Sequence, residues 1–458
     1  WETEILKEPD KCLNIIMEYM NANENINERI SIHKIYNGKK ASMQMYGPHS
    51  LNEDGTIMSF GEQMAIVSHY LHNRNCKYEE TFKIKAENLI SDIYAVYGNS
   101  SANDKVSEPA VQYSLFSELF SVPFLPVDKP KFTFIDLFAG IGGFRIALQN
   151  LGGKCIFSSE WDQQAQRTYL ANFGEVPFGD ITKETTKQYI PDGFDILCAG
   201  FPCQAFSLAG KRLGFEETRG TLFFDVAEII RRKRPKAFFL ENVKGLQIHD
   251  KGRTLQTILN TLREDLDYYV PDPEIVNAMN FGVPQHRERI YIVGFRKDLG
   301  ITDFKYPSPT DKTKRFIDIR EDKEVPAKYY LSTQYQNTLI EHKKRHENRG
   351  NGFGYEIIPD DGVANAIVVG GMGRERNIVI DNRLSDFTPT TNIKGEINRD
   401  GWRRMTPREW ARLQGFPDSF IIPVADASAY KQFGNSVAVP AIQATAEQII
   451  KRICSKRK

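Results

Sequence analysis

What this 458-residue sequence has least of is long apolar runs, cysteine, and charge of one sign. No window offers the roughly 18 uncharged apolar residues that a membrane span requires. Even the apolar stretch that starts at Phe132 carries Asp136 and Arg145, so no membrane partner is expected. Cysteine is sparse and irregular: Cys12, Cys76, Cys155, Cys198, Cys203 and Cys454 form no Cys-x-x-Cys pair and no Cys/His spacing of a zinc site. No metal centre is implied, and the usage reads as cytoplasmic thiols. The chain opens on Trp1-Glu2-Thr3-Glu4 without an initiator or a signal-peptide pattern, so a missing start is expected. Net charge is only +1, which for the whole chain argues against a nucleic-acid protein.

What is present divides that charge unevenly. Through Glu108 there are 11 basic against 16 acidic residues, a net of −5, so the remainder carries +6. Hydrophobic residues at 41% and aromatics at 11% exclude wholesale disorder, and the length allows two to four domains. Helical patterns run over Leu13–Met20 and Ala86–Tyr97, around turn-rich stretches at 46–49 and 52–55. The polar run from Tyr97 to Pro109 reads as a linker. From Phe132 the rhythm becomes α/β. Strand-like runs at 132–138, 154–159, 194–199, 237–240 and 290–295 alternate with helical patterns, the signature of an open, mostly parallel sheet covered on its faces.

Phe132–Phe138 ends in a turn, Gly140-Ile141-Gly142-Gly143, and a helix follows. Glycine lets the backbone pass close to a ligand, and the helix points its positive end at it. A glycine turn after a strand is often only a turn. This one departs from the dinucleotide fingerprint, and a ligand without phosphates, S-adenosylmethionine, suits it better than NAD. The next strand closes with Glu160, about twenty residues on, where a carboxylate can hold two ribose hydroxyls. Trp161 offers a flat face for adenine, and Asp180 can accept from an adenine amino group.

The run Asp195–Ala199 is a strand that the chain leaves at Gly200, and Pro202 stiffens the loop that presents Cys203 at the carboxyl edge of the sheet. Cys198, inside the strand, is most simply a small core residue. A thiol acts as a nucleophile only when its thiolate is favoured. Glu241, directly after strand 237–240, supplies an acid, though a carboxylate there can also be a plain helix cap. Arg287 and Arg289, in Gln285-His286-Arg287-Glu288-Arg289, alternate onto one face of an extended segment and so reach the same pocket.

Together these segments resemble the ordered motif set of the DNA cytosine-5 methyltransferases: Phe134–Gly143, Pro202-Cys203-Gln204, Glu241-Asn242-Val243, Gln285–Arg289 and Gly434-Asn435-Ser436. From Glu108 through Ala444 the similarity is greatest to HpaII-type enzymes, which modify CCGG. The resemblance implies an α/β fold with a Rossmann-like methyltransferase sheet, a small glycine-rich mixed target-recognition domain, and an N-terminal, mainly helical appendage. It implies boundaries at 1–106 for the appendage, 107–317 for the catalytic domain, 318–404 for target recognition and 405–458 for the return to the catalytic domain. It also implies that Cys203 attacks C6 of a flipped cytosine and that Glu241 holds the N3 and amino edge. Arg287 and Arg289 would grip the base carbonyl and a phosphate, Arg289 also fixing Glu241. The cofactor is then S-adenosyl-L-methionine, leaving S-adenosyl-L-homocysteine. Its pocket would comprise Phe138, Gly140, Gly142, Glu160, Trp161, Asp180, Ile181, Pro202 and Leu222, with Asn435, Ser436 and Val437 returning from the C-terminus. The base that removes the C5 proton is left open, a water being one choice.

Between about 318 and 404 the α/β rhythm stops. Glycine-rich stretches at 350–355 and 370–374 are flanked by Arg345, Arg349, Arg374, Arg376, Arg403 and Arg404. Each is by itself an ordinary surface arginine. Collectively they are candidates, with Gln204 and Ser207, for contacts to guanine edges or phosphates. Met405–Gln414 reads as a proline-started helix. The resulting expectation is a cytoplasmic, monomeric enzyme on double-stranded DNA, with a cognate restriction endonuclease as a functional rather than physical partner. An RNA cytosine methyltransferase, a non-catalytic DNA-binding regulator and an NAD-linked oxidoreductase are the alternatives. Residues 1–106 read more simply as a stabilising helical appendage than as a regulatory DNA-binding module.

Overall fold

The computed structural model describes residues 32–36, 39–43, 49–52, 55–98, 117–202, 222–310, 314–370, 373–388 and 395–454. The helix read over Leu13–Met20, the linker from residue 99, and Cys203, Gln204 and Ser207 lie outside the described residues. Strands β1 (Ile32–Tyr36) and β2 (Lys39–Met43) form an antiparallel pair. The chain divides into two compact units, one of residues 1–145 and 152–238, the other of 146–151 and 239–458.

In the first unit, helix α1 (Phe60–Asn73) starts at Ser59, whose hydroxyl accepts the Glu62 N–H while the Glu62 carboxylate accepts the Ser59 N–H. This reciprocal cap satisfies two otherwise orphaned donors. Helix α2 (Lys83–Gly98) covers the expected 86–97 pattern. Parallel strands β3 (Phe132–Leu137), β4 (Gly153–Ser159) and β5 (Ile196–Gly200) lie in the order β4-β3-β5. All of β3 and β4 is buried, as expected of strands covered on both faces. Helix α3 (Gly143–Asn150) opens from the glycine turn, and its residues from Ile146 on are counted with the second unit. Helix α4 (Gln163–Phe173) is capped by Asp162, and helix α5 spans Leu222–Lys233.

The second unit contains β6 (Ala237–Val243), which enters from the first, then β7 (Tyr268–Tyr269), β8 (Glu274–Asn277), β9 (Gln285–His286) and β10 (Glu288–Arg296). β10 lies between β6 and β7 and also pairs with β8. Beyond residue 318 the strands are only two or three residues long. Helix α6 (Thr333–Glu347) packs with β12 (Ile378–Ile380) and β13 (Trp402–Arg404) around Leu331, Leu339, Ile378 and Trp402, while β11 (Ala364–Asn365) pairs with β9. Helix α7 (Pro407–Leu413) starts with the expected proline, and Thr406 and Glu409 cap it reciprocally. Helices α8 (Asp426–Asn435) and α9 (Val439–Cys454) close the chain. No helix among the described residues is long and apolar enough to cross a membrane.

Candidate functional site

The turn after β3 is held in a shape that few residues other than glycine adopt. Phe138, Gly140 and Gly142 have φ of 55°, 55° and 85°. Phe138 is thus a non-glycine residue in the left-handed region, at the point where the strand hands over to the turn. A Cβ on Gly142 would come within 2.2 Å of the Phe173 ring, so that glycine is required by packing. A Cβ on Gly140 would meet nothing within 4 Å, which leaves open space on that side of the turn.

Glu160 joins the turn to β4. Its Oε2 accepts the Gly140 N–H at 2.8 Å and its Oε1 accepts the Asp162 N–H at 2.8 Å. Each oxygen keeps a further lone pair for a hydroxyl. Burial pushes the carboxyl above the usual glutamate range, against main-chain N–H groups, those of Asp162 and Gly140 foremost, that favour its charge. Trp161 is 79% exposed. The Oδ1 of Asp180 accepts from the Thr182 amide and hydroxyl, a turn that fixes the residue and leaves its other oxygen available. Ile181 is buried, Leu222 half-buried and Pro202 exposed; in the second unit Asn435 is exposed, Ser436 half-buried and Val437 buried. The donor and acceptor set around Glu160, Trp161 and Asp180 fits a ribose and an adenine better than a pyrophosphate, for which the set brings no cation. Cys198 is fully buried and its thiol is pushed well up by burial, as a core residue should be.

In the second unit the structure brings Glu241 and Arg289 together. β6 extends three residues further than expected, so Glu241 lies within the strand rather than after it. A helix cap is therefore not its role. Arg289 Nε reaches Glu241 Oε1 at 3.1 Å. Burial pushes the Glu241 carboxyl up, while Arg289 and then Arg287 pull it down, with burial the larger effect.

Arg287 corrects an expectation. Its guanidinium does not lie open for a base or phosphate, because Nη1 donates to the Ile367 carbonyl at 2.9 Å and Nη2 to the Gly434 and Ser436 carbonyls at 3.1 and 2.6 Å. Burial and the neighbouring Arg289 pull its pKa down to about 9. Gln285 extends the same tether, donating to the Leu413 carbonyl at 3.0 Å and accepting the Ile367 N–H at 3.0 Å. Gln414 donates to Phe433 O at 2.8 Å. Nothing in the spacing of Gln285 or Gln414 announces this task; the partners of Gln285 lie 82 and 128 residues away and that of Gln414 lies 19 away.

The recognition arginines separate into kinds. Arg345 and Arg349 are exposed, at the end of α6 and just beyond it. Arg374 is exposed and lies over the Tyr430 ring at 5.4 Å. Arg376 pairs with Glu356 at 2.9 Å, and Arg404 with Glu375 at 3.3 Å. Arg403 is the second correction. It is 0% exposed, bonded through Nε to Asp381 at 2.9 Å and through both terminal nitrogens to Glu409 at 2.7 and 2.8 Å. A guanidinium so enclosed cannot reach a phosphate without breaking the pairs.

Comparison with known proteins places the chain in a family. The model of the family described as C-5 cytosine-specific DNA methylase matches residues 132–451. The type II methyltransferase M.HpaII of Haemophilus parainfluenzae is 76% identical over 348 residues, which cover 76% of this chain and 96% of that protein. M.HhaI of Haemophilus parahaemolyticus is 42% identical over 317 residues, 69% and 93% of the two chains. The solved Entamoeba histolytica methyltransferase EhMeth shares the fold at a TM-score of 0.52 and 19% identity, covering 72% of this chain and 100% of that one. The chain therefore belongs to the C-5 cytosine-specific DNA methylase family.

Proposed function

We propose that this chain methylates C5 of a cytosine flipped out of double-stranded DNA, at the inner cytosine of CCGG, and so protects DNA from a cognate restriction endonuclease. It would work as a monomer in the cytoplasm. The observation that carries the chemistry is the Glu241–Arg289 pair: a buried carboxyl pushed up by its surroundings and steadied by one arginine. A carboxyl of that kind can donate to N3 of cytosine while the ring gains electrons.

Cys203 is assigned as the nucleophile. Its sulfur bonds to C6 as a thiolate, and Glu241 offsets the charge that collects on the ring. C5 becomes nucleophilic and gains the methyl group. A base, with water as the candidate, then takes the C5 proton, the C6–sulfur bond breaks, and the thiolate is restored. When bound, S-adenosylmethionine supplies the methyl group as an electrophile. Glu160 would hold its ribose, Trp161 and Ile181 its adenine, and Asp180 the amino group. Phe138, Gly140, Gly142, Pro202, Leu222, Asn435, Ser436 and Val437 would line the rest. Arg289 is assigned to orient Glu241. Arg287 is assigned as a positioning residue that ties the 367 and 434–436 segments. Arg345, Arg349, Arg374, Arg376 and Arg404, with Gln204 and Ser207, remain the candidates for DNA contacts.

The target assignment follows the HpaII-type resemblance and the 76% identity to M.HpaII. Methylation of an unmodified plasmid by the purified protein, read by bisulfite sequencing, tests it. Protected cytosines should fall at the inner position of CCGG; modification concentrated at another site would refute the target, and conversion at every cytosine would refute the activity.

A further inference from the structure

Helix α1 lies well before residue 132, where the family match begins. Its side chains nevertheless complete the backbone of the strand that ends at Glu160. Among the described residues β4 is the last strand of its sheet, paired with β3 along its length and bridged on its other edge at Ser159 to Phe178, so the rest of that edge needs other partners for its main-chain groups. α1 supplies the partners. Asn73 Nδ2 donates to the Ile156 carbonyl at 3.1 Å, and the Ser158 N–H donates to His69 Nε2 at 3.1 Å. His69 Nδ1 lies 2.8 Å from the Ala65 carbonyl, which fixes the ring proton there and leaves Nε2 as an acceptor. One step on, the edge is taken over by residue 178: its N–H donates to Ser158 O at 2.9 Å and its carbonyl accepts the Glu160 N–H at 2.7 Å. The segment bearing Phe178 is held by the same helix, since Ser68 Oγ accepts the Val176 N–H at 3.1 Å and His72 Nδ1 lies 3.3 Å from Glu175 Oε2. Glu175 Oε1 in turn accepts from Arg145 at 2.6 Å and from the Ser158 hydroxyl at 2.8 Å.

Two neighbouring segments thus leave α1 together. Glu160 follows two residues after Ser158 on one, and Asp180 four residues after Val176 on the other. We propose that α1 is a positioning brace for the cofactor site, in which His69, Ser68 and Asn73 set the spacing between Glu160 and Asp180. Affinity for S-adenosylmethionine then depends on a helix outside the region that defines the family. The inference rests on the assignment of Glu160 and Asp180 as cofactor residues. A helix that only added stability would change the melting temperature and leave the affinity of the folded protein alone.

The test measures binding of S-adenosylmethionine to the full chain by isothermal titration calorimetry, at a temperature where circular dichroism shows each variant folded. His69→Leu removes the acceptor and leaves the Ser158 N–H buried and unpaired; it should weaken binding about tenfold, raising KM for the cofactor while kcat holds. His69→Gln, whose Oε1 can accept the same N–H, should restore binding to within about twofold of the natural protein. Ser68→Ala is a smaller cut on the same brace and should weaken binding about threefold, which keeps the test open should His69→Leu not fold. Glu160→Ala is the control for the underlying assignment. If Glu160→Ala weakens binding while His69→Leu and Ser68→Ala bind as the natural protein does, the brace is refuted and the pocket stands. If Glu160→Ala binds normally, the pocket assignment fails and the brace falls with it.

Discussion

Arg403→Met tests whether the buried arginine of the recognition segment is architecture or a DNA contact. The methionine keeps much of the volume and loses four hydrogen bonds: those to Asp381 and Glu409 and one from Nη1 to the Arg404 carbonyl at 3.1 Å. Stranding buried carboxylates costs about 3–5 kcal/mol when a pair is broken on one side. The low end applies here, because both carboxylates retain partners. Asp381 keeps Arg383 and Arg320, at 2.8 and 3.0 Å, and Glu409 keeps the Thr406 and Glu321 amides, at 2.8 and 3.1 Å. A loss of about 3 kcal/mol in a unit of this size lowers the melting temperature by roughly 6–12 °C. The assay pairs a thermal melt with fluorescence anisotropy on a short CCGG duplex at low and moderate salt. A phosphate-contacting arginine behaves in the opposite way, leaving the melt unchanged and reducing the slope of log affinity against log salt by about one. A melting temperature within about 1 °C of the natural protein, combined with that loss of slope, would refute the structural role of Arg403.

Four further substitutions carry distinct expected outcomes. Cys203→Ser should abolish transfer of labelled methyl groups while DNA binding persists, and turnover at the natural rate would remove Cys203 as the nucleophile. Glu241→Gln should lower kcat about 10²–10³-fold; in the natural protein the raised Glu241 pKa keeps the acid form present to a higher pH than an ordinary glutamate, and activity falls as pH rises through it. Arg289→Leu removes a group that lowers that pKa, so the falling limb should move to higher pH, and a shift to lower pH would contradict the pairing. Arg145 holds Glu175 well below the usual range, overcoming its burial, so its stabilisation is present above the unfolded value of about 4.3 and lost as pH falls below it. Urea titrations of Glu175→Gln should therefore show a flatter acid limb than those of the natural protein.

The periodic parts of this chain were legible because burial writes them directly into residue order. β3 is buried along its whole length and reads as an unbroken apolar run, and the turn after it needs glycine for reasons that hold in any context. Glu160 was legible for the same reason, being fixed by a strand end. α1 was not read, although its Ser59–Glu62 box before an apolar run is a recognised start signal. The sequence shows the charges of Arg287 and Arg403 and not what surrounds them. The carbonyls that engage Arg287 come from residues 367, 434 and 436, and the carboxylates around Arg403 from 381 and 409. Both arginines sit in segments rich in basic residues, where a surface role is the simpler assumption until the distant partners are placed.

Buried carboxylates offer a way to separate chemistry from architecture in this fold. Glu175 and Asp381 are both fully buried, both ringed by several donors, and both held below the ordinary carboxylate range. Their charge is fixed, and a fixed charge cannot respond to a substrate. Glu241 carries a single ion pair among the described residues, and burial prevails over it, so its carboxyl is raised instead. Glu160, with two main-chain donors and open lone pairs, is raised as well. The difference is one of saturation. A carboxylate whose acceptor sites are all occupied by the protein has spent its electrostatics on the fold, whereas one left short of donors is unstable alone and gains most from a ligand that supplies them. Under the proposed function the amino group of a flipped cytosine would donate to Glu241, whose acid form would donate to N3, and the ribose hydroxyls would donate to Glu160. Among these four carboxylates the direction of the pKa shift separates the two proposed for chemistry from the two that serve the scaffold, while Asp136, fully buried and raised to about 8, shows that a raised carboxyl is not by itself a site.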